Sequence, residues 1–198
     1  MFAMVIRSNH PTGSSSHLFT FPFRYMLFIV IPGLILVALM VYTSTRIKRT
    51  AAEAFESETV ETDAFLIQKP EGFLHVVNGD PQFAFDSYSN EFGSSGSENI
   101  RLGTAKLKVF DARTIDDAVA DIRAAGDAIG NDLREVVGGV HYRVVEAERT
   151  EKETAFRVRY KLAAKNGGVY RFETVNLADA PDEFVRKIDT MLDSFEVK

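Results

Sequence analysis

The sequence contains no cysteine. A disulfide framework, a thiolate zinc or iron–sulfur site and a cysteine nucleophile are therefore excluded in any compartment. Gly93, Gly96 and Gly103 have neither the G-x-x-x-x-G-K-[ST] nor the G-x-G-x-x-G spacing of a phosphate loop, and the G-x-S-x-G elbow of a serine hydrolase is missing. Histidine is scarce, with four in all. His10 and His17 lie near the N-terminus, and His75 and His141 stand 66 positions apart with no local cluster of ligands. The sequence thus assigns no catalytic, cofactor-binding or metal-ligating residue; no cofactor is expected, and the chain reads as a non-enzyme.

Acidic residues are absent from the first 50 positions. That stretch holds five of the 23 basic residues and none of the 28 acidic ones, which leaves 18 against 28, a net of −10, in the remainder. A net-acidic domain repels phosphate backbones, and no Lys/Arg-rich run with interleaved aromatics is present, so no nucleic-acid partner is expected.

What is present is one long apolar run. Residues 25–45, YMLFIVIPGLILVALMVYTST, contain no Asp, Glu, Lys, Arg or His. As a helix this run would be about 31 Å long, matching a hydrocarbon core of about 30 Å. Arg24 and Arg46 close its two ends and Tyr25 and Tyr42 sit at headgroup level, while Pro32-Gly33 marks a site for a kink. A cleaved signal peptide has a shorter apolar region, and the A-x-A candidate at 52–54 lies beyond the charged stretch 46–49. The expectation is a retained single-pass anchor with the lipid bilayer as partner; lacking ionisable groups, it offers no proton or ion path. Flanking charges are nearly balanced, with Arg7, Arg24 and the α-amino group before the run and Arg46, Lys48 and Arg49 after it. The expected organisation is a flexible tail (1–23), a transmembrane anchor (24–46), a spacer (47–62) and a soluble domain (63–198).

In that domain turn chemistry separates expected strands at about 64–68, 82–88 and 100–110. A helix over 115–129 follows, opened by Thr114 with Asp117 three residues on. Asp116, Asp117 and Asp121 crowd its first turns, where capping and solvation account for them without a cation. Three strands come next, at about 140–148, 154–163 and 169–177, with 165–168 (KNGG) as a hairpin turn, and a helix over 181–194 closes the chain. This order gives an α+β class, an antiparallel sheet flanked by helices. In the middle strand Arg157, Arg159 and Lys161 alternate with apolar residues; with Arg143 and Arg171 they form a candidate docking surface, unless they pair across strands with Glu146, Glu148 and Glu173.

The segments 65–73 (FLIQKPEGF) and 114–117 (TIDD), the run of three strands, and the ending 188–195 (IDTMLDSF) together resemble the PsbP/Mog1-like family of extrinsic photosystem proteins and Ran-binding proteins. Phe73 stands where some members carry tryptophan. The resemblance, covering about 62–198, implies an α/β/α sandwich and a non-catalytic adaptor that docks on larger assemblies, often exported in bacteria. The expected function is an accessory, scaffolding or assembly subunit of a larger membrane protein complex, of the electron-transport or photosynthetic kind, on the inner (cytoplasmic) membrane with its domain in the periplasm. A cytoplasmic domain is the alternative in location. A membrane-anchored ligand-binding or sensory module is the alternative in function.

Overall fold

The computed structural model describes residues 23–95 and 98–198; the side chains of 23–29, 47–51, 95 and 98 are not among those described. The expected tail therefore lies outside the described residues apart from Phe23, and so do the side chains of Arg24 and Tyr25. The apolar run forms helix α1 (Phe23–Ala54), and the chain divides into two compact units between Ile47 and Lys48, within this helix. The side chains of residues 30–46 are all exposed, Leu34, Met40 and Tyr42 to more than 60%. The hydroxyls of Thr43 and Thr45 donate to the carbonyls of Leu39 (2.8 Å) and Val41 (2.7 Å), so the helix satisfies its own polar side chains. Among the described residues no helix is long and apolar enough to cross a membrane. The described side chains of α1 begin at Val30, five positions into the run that starts at Tyr25.

The second unit is an α+β domain. Its elements are β1 (Glu58–Glu61), β2 (Phe65–Lys69), β3 (Phe73–His75), β4 (Phe85–Ser89), β5 (Phe92–Ser95), β6 (Glu98–Arg101), β7 (Gly103–Asp111), α2 (Ile115–Ala124), β8 (Ala128–Val137), β9 (Val140–Glu151), β10 (Thr154–Lys165), β11 (Gly168–Leu177), α3 (Asp182–Asp193) and β12 (Glu196–Val197). Seven strands form one antiparallel sheet in the order β3-β4-β7-β11-β10-β9-β8, and β1-β2-β12 form a small second sheet. Alternation along β10 assigns the two faces. Val158, Tyr160 and Leu162 point into a core with Ala118, Val119 and Ile122 of α2. Ala163 faces the other way, into a core with Phe172 and with Phe184, Ile188, Met191 and Leu192 of α3. The sheet is thus sandwiched between α2 on one side and α3 with the small sheet on the other.

The structure corrects several sequence expectations. The helix expected to reach residue 129 ends at Ala124, because Gly126 takes φ +92°, a left-handed conformation that stops a helix. Ile129 then joins β8 opposite Ala147, adding an edge strand that the sequence reading lacked. The expected strand over 100–110 breaks at Leu102, whose N–H donates to Glu91 O (2.9 Å) and whose C=O accepts from Leu177 N (3.1 Å). Gly103 follows because a Cβ there would stand 2.9 Å from both the Phe184 ring and Val175 O. Within the expected spacer, α1 continues to Ala54 and a further strand, β1, pairs with β2 from Glu58 to Glu61. The hairpin at 165–168 and the capping box at Thr114 and Asp117 form as the sequence predicts.

Candidate docking face

The five cations read from the sequence as one surface do not share a face. Arg159 and Lys161 point towards α3. Arg159 pairs with Asp189 and, at 3.2 Å, with Glu146, while Lys161 is 5% exposed and donates to Asp193 O at 3.0 Å. Lys161 also pairs with Glu135 of β8 at 3.4 Å, so both charges are met inside the domain, partly by α3 and partly by neighbouring strands. Arg157 shares their side of β10 and remains exposed. Arg143 points to the opposite side, where it grips Asp132 through two 2.7 Å bonds and reaches Asp116 of α2; these carboxylates hold its pKa above the ordinary arginine value. Arg171 is also on the α2 side, and there it finds different company.

Arg171 on β11 stands directly opposite Lys108 on β7. Both cations flank Phe110, with Arg171 Cζ 5.1 Å and Lys108 Nζ 5.3 Å from the ring centre, and Arg113 Cζ approaches it to 5.6 Å. Lys106, two residues before Lys108, lies 4.6 Å from the Phe83 ring. The π-faces hold these cations at the surface. Arg113 is paired with Asp121, but no ion pair neutralises Lys108 or Arg171 among the described residues, and the Arg171 Nε is buried without a hydrogen bond. Lys108 reaches only Gln82 Oε1, at 3.5 Å. Asp80 acts on Lys108 and Asp127 on Arg171 only from beyond ion-pair distance; like charges directly across a ladder destabilise a sheet, so this cationic pair stands out on an otherwise acidic domain (net −10 from residue 51 on).

One step along the same face, the charges are satisfied internally. The Asp127 side chain, fully buried, accepts from Arg149 Nε (2.7 Å) and Nη2 (3.0 Å) and from the Tyr160 hydroxyl; Arg149 Nη2 also donates to Tyr160 OH (2.8 Å) and Glu173 (3.1 Å). Burial alone would raise the Asp127 pKa, but the hydrogen bonds from Arg149 and Tyr160 hold it below the usual value. Burial, reinforced by Glu173, drives the Tyr160 pKa up. With every member bonded to another, this network ties the end of α2 to β9, β10 and β11 as a structural clasp.

The remaining candidates resolve into structure. Asp117 caps α2, Asp116 meets Arg143 and Asp121 meets Arg113, so the three aspartates are occupied. Among the described residues no group of three metal-ligating side chains converges. His75 stacks on Phe85 (5.0 Å between centres), and burial lowers its pKa. A cleft of about 590 Å³ opens beside the β8 bulge, between Arg157, Glu148, Glu146 and Asp189. No Ser, Thr, His or Lys lines it, and Arg159 already holds Glu146 and Asp189. The sequence reading missed Lys106, Lys108 and Phe110. The signal was the alternation of lysines in the strand at 103–111, which gains meaning only once β7 is known to neighbour β11.

Neither a protein-family model nor a curated protein sequence matches the chain. Among solved structures it is similar to cyanobacterial PsbP (CyanoP) from Synechocystis, with 15% identity and a TM-score of 0.51, over 72% of this chain and 92% of that one. It is also similar to LpqN of Mycobacterium tuberculosis, described as involved in cell envelope biogenesis, with 9% identity and a TM-score of 0.50 over 72% and 91% of the two chains. The Ran-binding protein Mog1p of Saccharomyces cerevisiae aligns at 10% identity and a TM-score of 0.46 over 72% and 96%. What the chain shares with the first two is the architecture, an antiparallel sheet between helices, and the fold is PsbP-like.

Proposed function

We propose that the chain is a non-catalytic accessory subunit, held at a membrane by α1, whose domain docks an acidic partner surface through the cationic face around Phe110. The observation that carries this reading is the Lys108–Arg171 pair, two like charges facing each other across a ladder, neither held in an ion pair among the described residues. A partner carboxylate placed between them would relieve the repulsion and add charge-assisted hydrogen bonds to arginine. Attachment rests on the charge-free run 25–45 and on the apolar side chains that α1 exposes on all sides. The class of partner, a membrane complex of the electron-transport or photosynthetic kind, and the periplasmic side of the inner membrane follow from the family resemblance of the sequence.

Purification of the full chain in mild detergent from its native membrane tests the reading. Co-purification of other membrane-complex subunits, lost in Lys108→Glu and Arg171→Glu variants, is expected. A chain that brings down no other protein overturns it. Carbonate extraction tests attachment: release into the soluble fraction would remove the anchor.

A further inference from the structure

The two edges of the seven-stranded sheet differ. One ends in β3, only three residues long and followed by a loop containing Pro81, so it offers little to pair with. The other ends in β8, ten residues without proline, exposed along nearly its whole length, and no strand pairs with its outer side among the described residues. It also exposes Leu133 (61%), Val136 (60%) and Val137 (42%). Long, apolar, unpaired edges are normally covered.

We propose that two copies of this chain pair through their β8 strands, antiparallel about a two-fold axis perpendicular to the sheet at Leu133, joining two seven-stranded sheets into one. Charge complementarity selects both the occupant and the register. With Leu133 opposite Leu133 of the second copy, Asp132 falls opposite Arg134 and Arg134 opposite Asp132, giving two cross-strand ion pairs on one face. A register shifted by two towards either end puts Asp132 against its own copy or Arg134 against its own copy, like against like. Arg134 is exposed and has no ion pair within the chain among the described residues, whereas Asp132, gripped by Arg143, is held as a carboxylate, its pKa lowered chiefly by that hydrogen bond. The edge therefore carries an anion shared with Arg143 and an exposed cation outside any ion pair among the described residues, separated by the one residue that self-pairing requires. Both ends of this arrangement lie away from Lys108 and Arg171, so it stands independently of the docking face.

The lack of cysteine makes the test clean. In the full chain in mild detergent, Leu133→Cys brings two thiols together on the axis, with Cα atoms about 4.5–5.5 Å apart, within reach of a disulfide. Val137→Cys, on the same strand but outside the proposed ion pairs, leaves its two copies about 27 Å apart, out of reach. Under mild oxidation Leu133→Cys is expected to form covalent dimers at least about tenfold faster than Val137→Cys or the exposed loop control Val77→Cys. In the cysteine-free chain, Arg134→Glu sets Asp132 against a glutamate twice over and is expected to weaken dimerisation, measured by sedimentation equilibrium, by about tenfold. The proposal is overturned if Leu133→Cys cross-links no faster than the controls, or if a dimer forms that Arg134→Glu leaves unchanged.

Discussion

Lys108 stands directly across the β7–β11 ladder from Arg171, and both cations lie within 5.3 Å of the Phe110 ring centre. Like charges so placed repel each other in the isolated fold and attract an acidic partner in a complex. The two roles predict opposite responses to one substitution. Lys108→Glu converts repulsion into attraction and is expected to raise stability to urea by about 0.2–1 kcal/mol, while weakening capture of the partner about tenfold or more. A fall in stability with unchanged capture would assign the lysine to the fold instead.

The Asp127 clasp predicts a response to acid. The folded pKa of Asp127 lies below the ordinary 3.8, so its contribution is fully present above that pH and is lost as the pH falls through the folded value. Asp127→Asn removes the partner charge of the partly buried Arg149 and is expected to cost about 3 kcal/mol at pH 7. Measured by urea denaturation at several pH values, the variant should also lose less stability than the parent below about pH 4. An unchanged acid slope would show that the clasp is not held by the ionised carboxylate.

Lys69 marks where α1 ends and the domain begins. It is 1% exposed, and its ammonium donates to the carbonyls of Phe73 (2.7 Å), Ala54 (3.4 Å) and Glu56. Burial lowers its pKa, although Glu58 acts in the other direction. Lys69→Met keeps the stem and removes the donor, leaving carbonyls at the end of α1 without it. A loss of about 1–3 kcal/mol is expected, together with faster proteolysis between Ala54 and Glu58. Unchanged proteolysis would show that the lysine does not hold this junction.

The elements that the sequence alone revealed are those whose signal is local. The capping box at Thr114 and Asp117, the hairpin at Lys165 to Gly168, the apolar stripe of α3 and the charge-free run of α1 depend on residues within a turn or two of one another, so their periodicity and chemistry could be read directly. β8 was not legible. Its residues continue the composition of α2, and only the positive φ of Gly126 and the long partner β9 make them a strand.

The same division separates the two readings of the basic residues. The sequence determined that Arg157, Arg159 and Lys161 alternate with apolar neighbours, and therefore that they share one side of β10. Whether that side would be open was decided by tertiary packing: α3 folds over it, Asp189 of α3 pairs with Arg159, and Lys161 pairs with Glu135 of β8 while donating to the carbonyl of Asp193. Packing likewise brought Lys108 beside Arg171, 63 positions away in the chain, around a single phenylalanine. Strand order and face are global properties, set by which sheet and helix pairing buries the most apolar surface. A single strand's pattern fixes which residues point together but not what they meet.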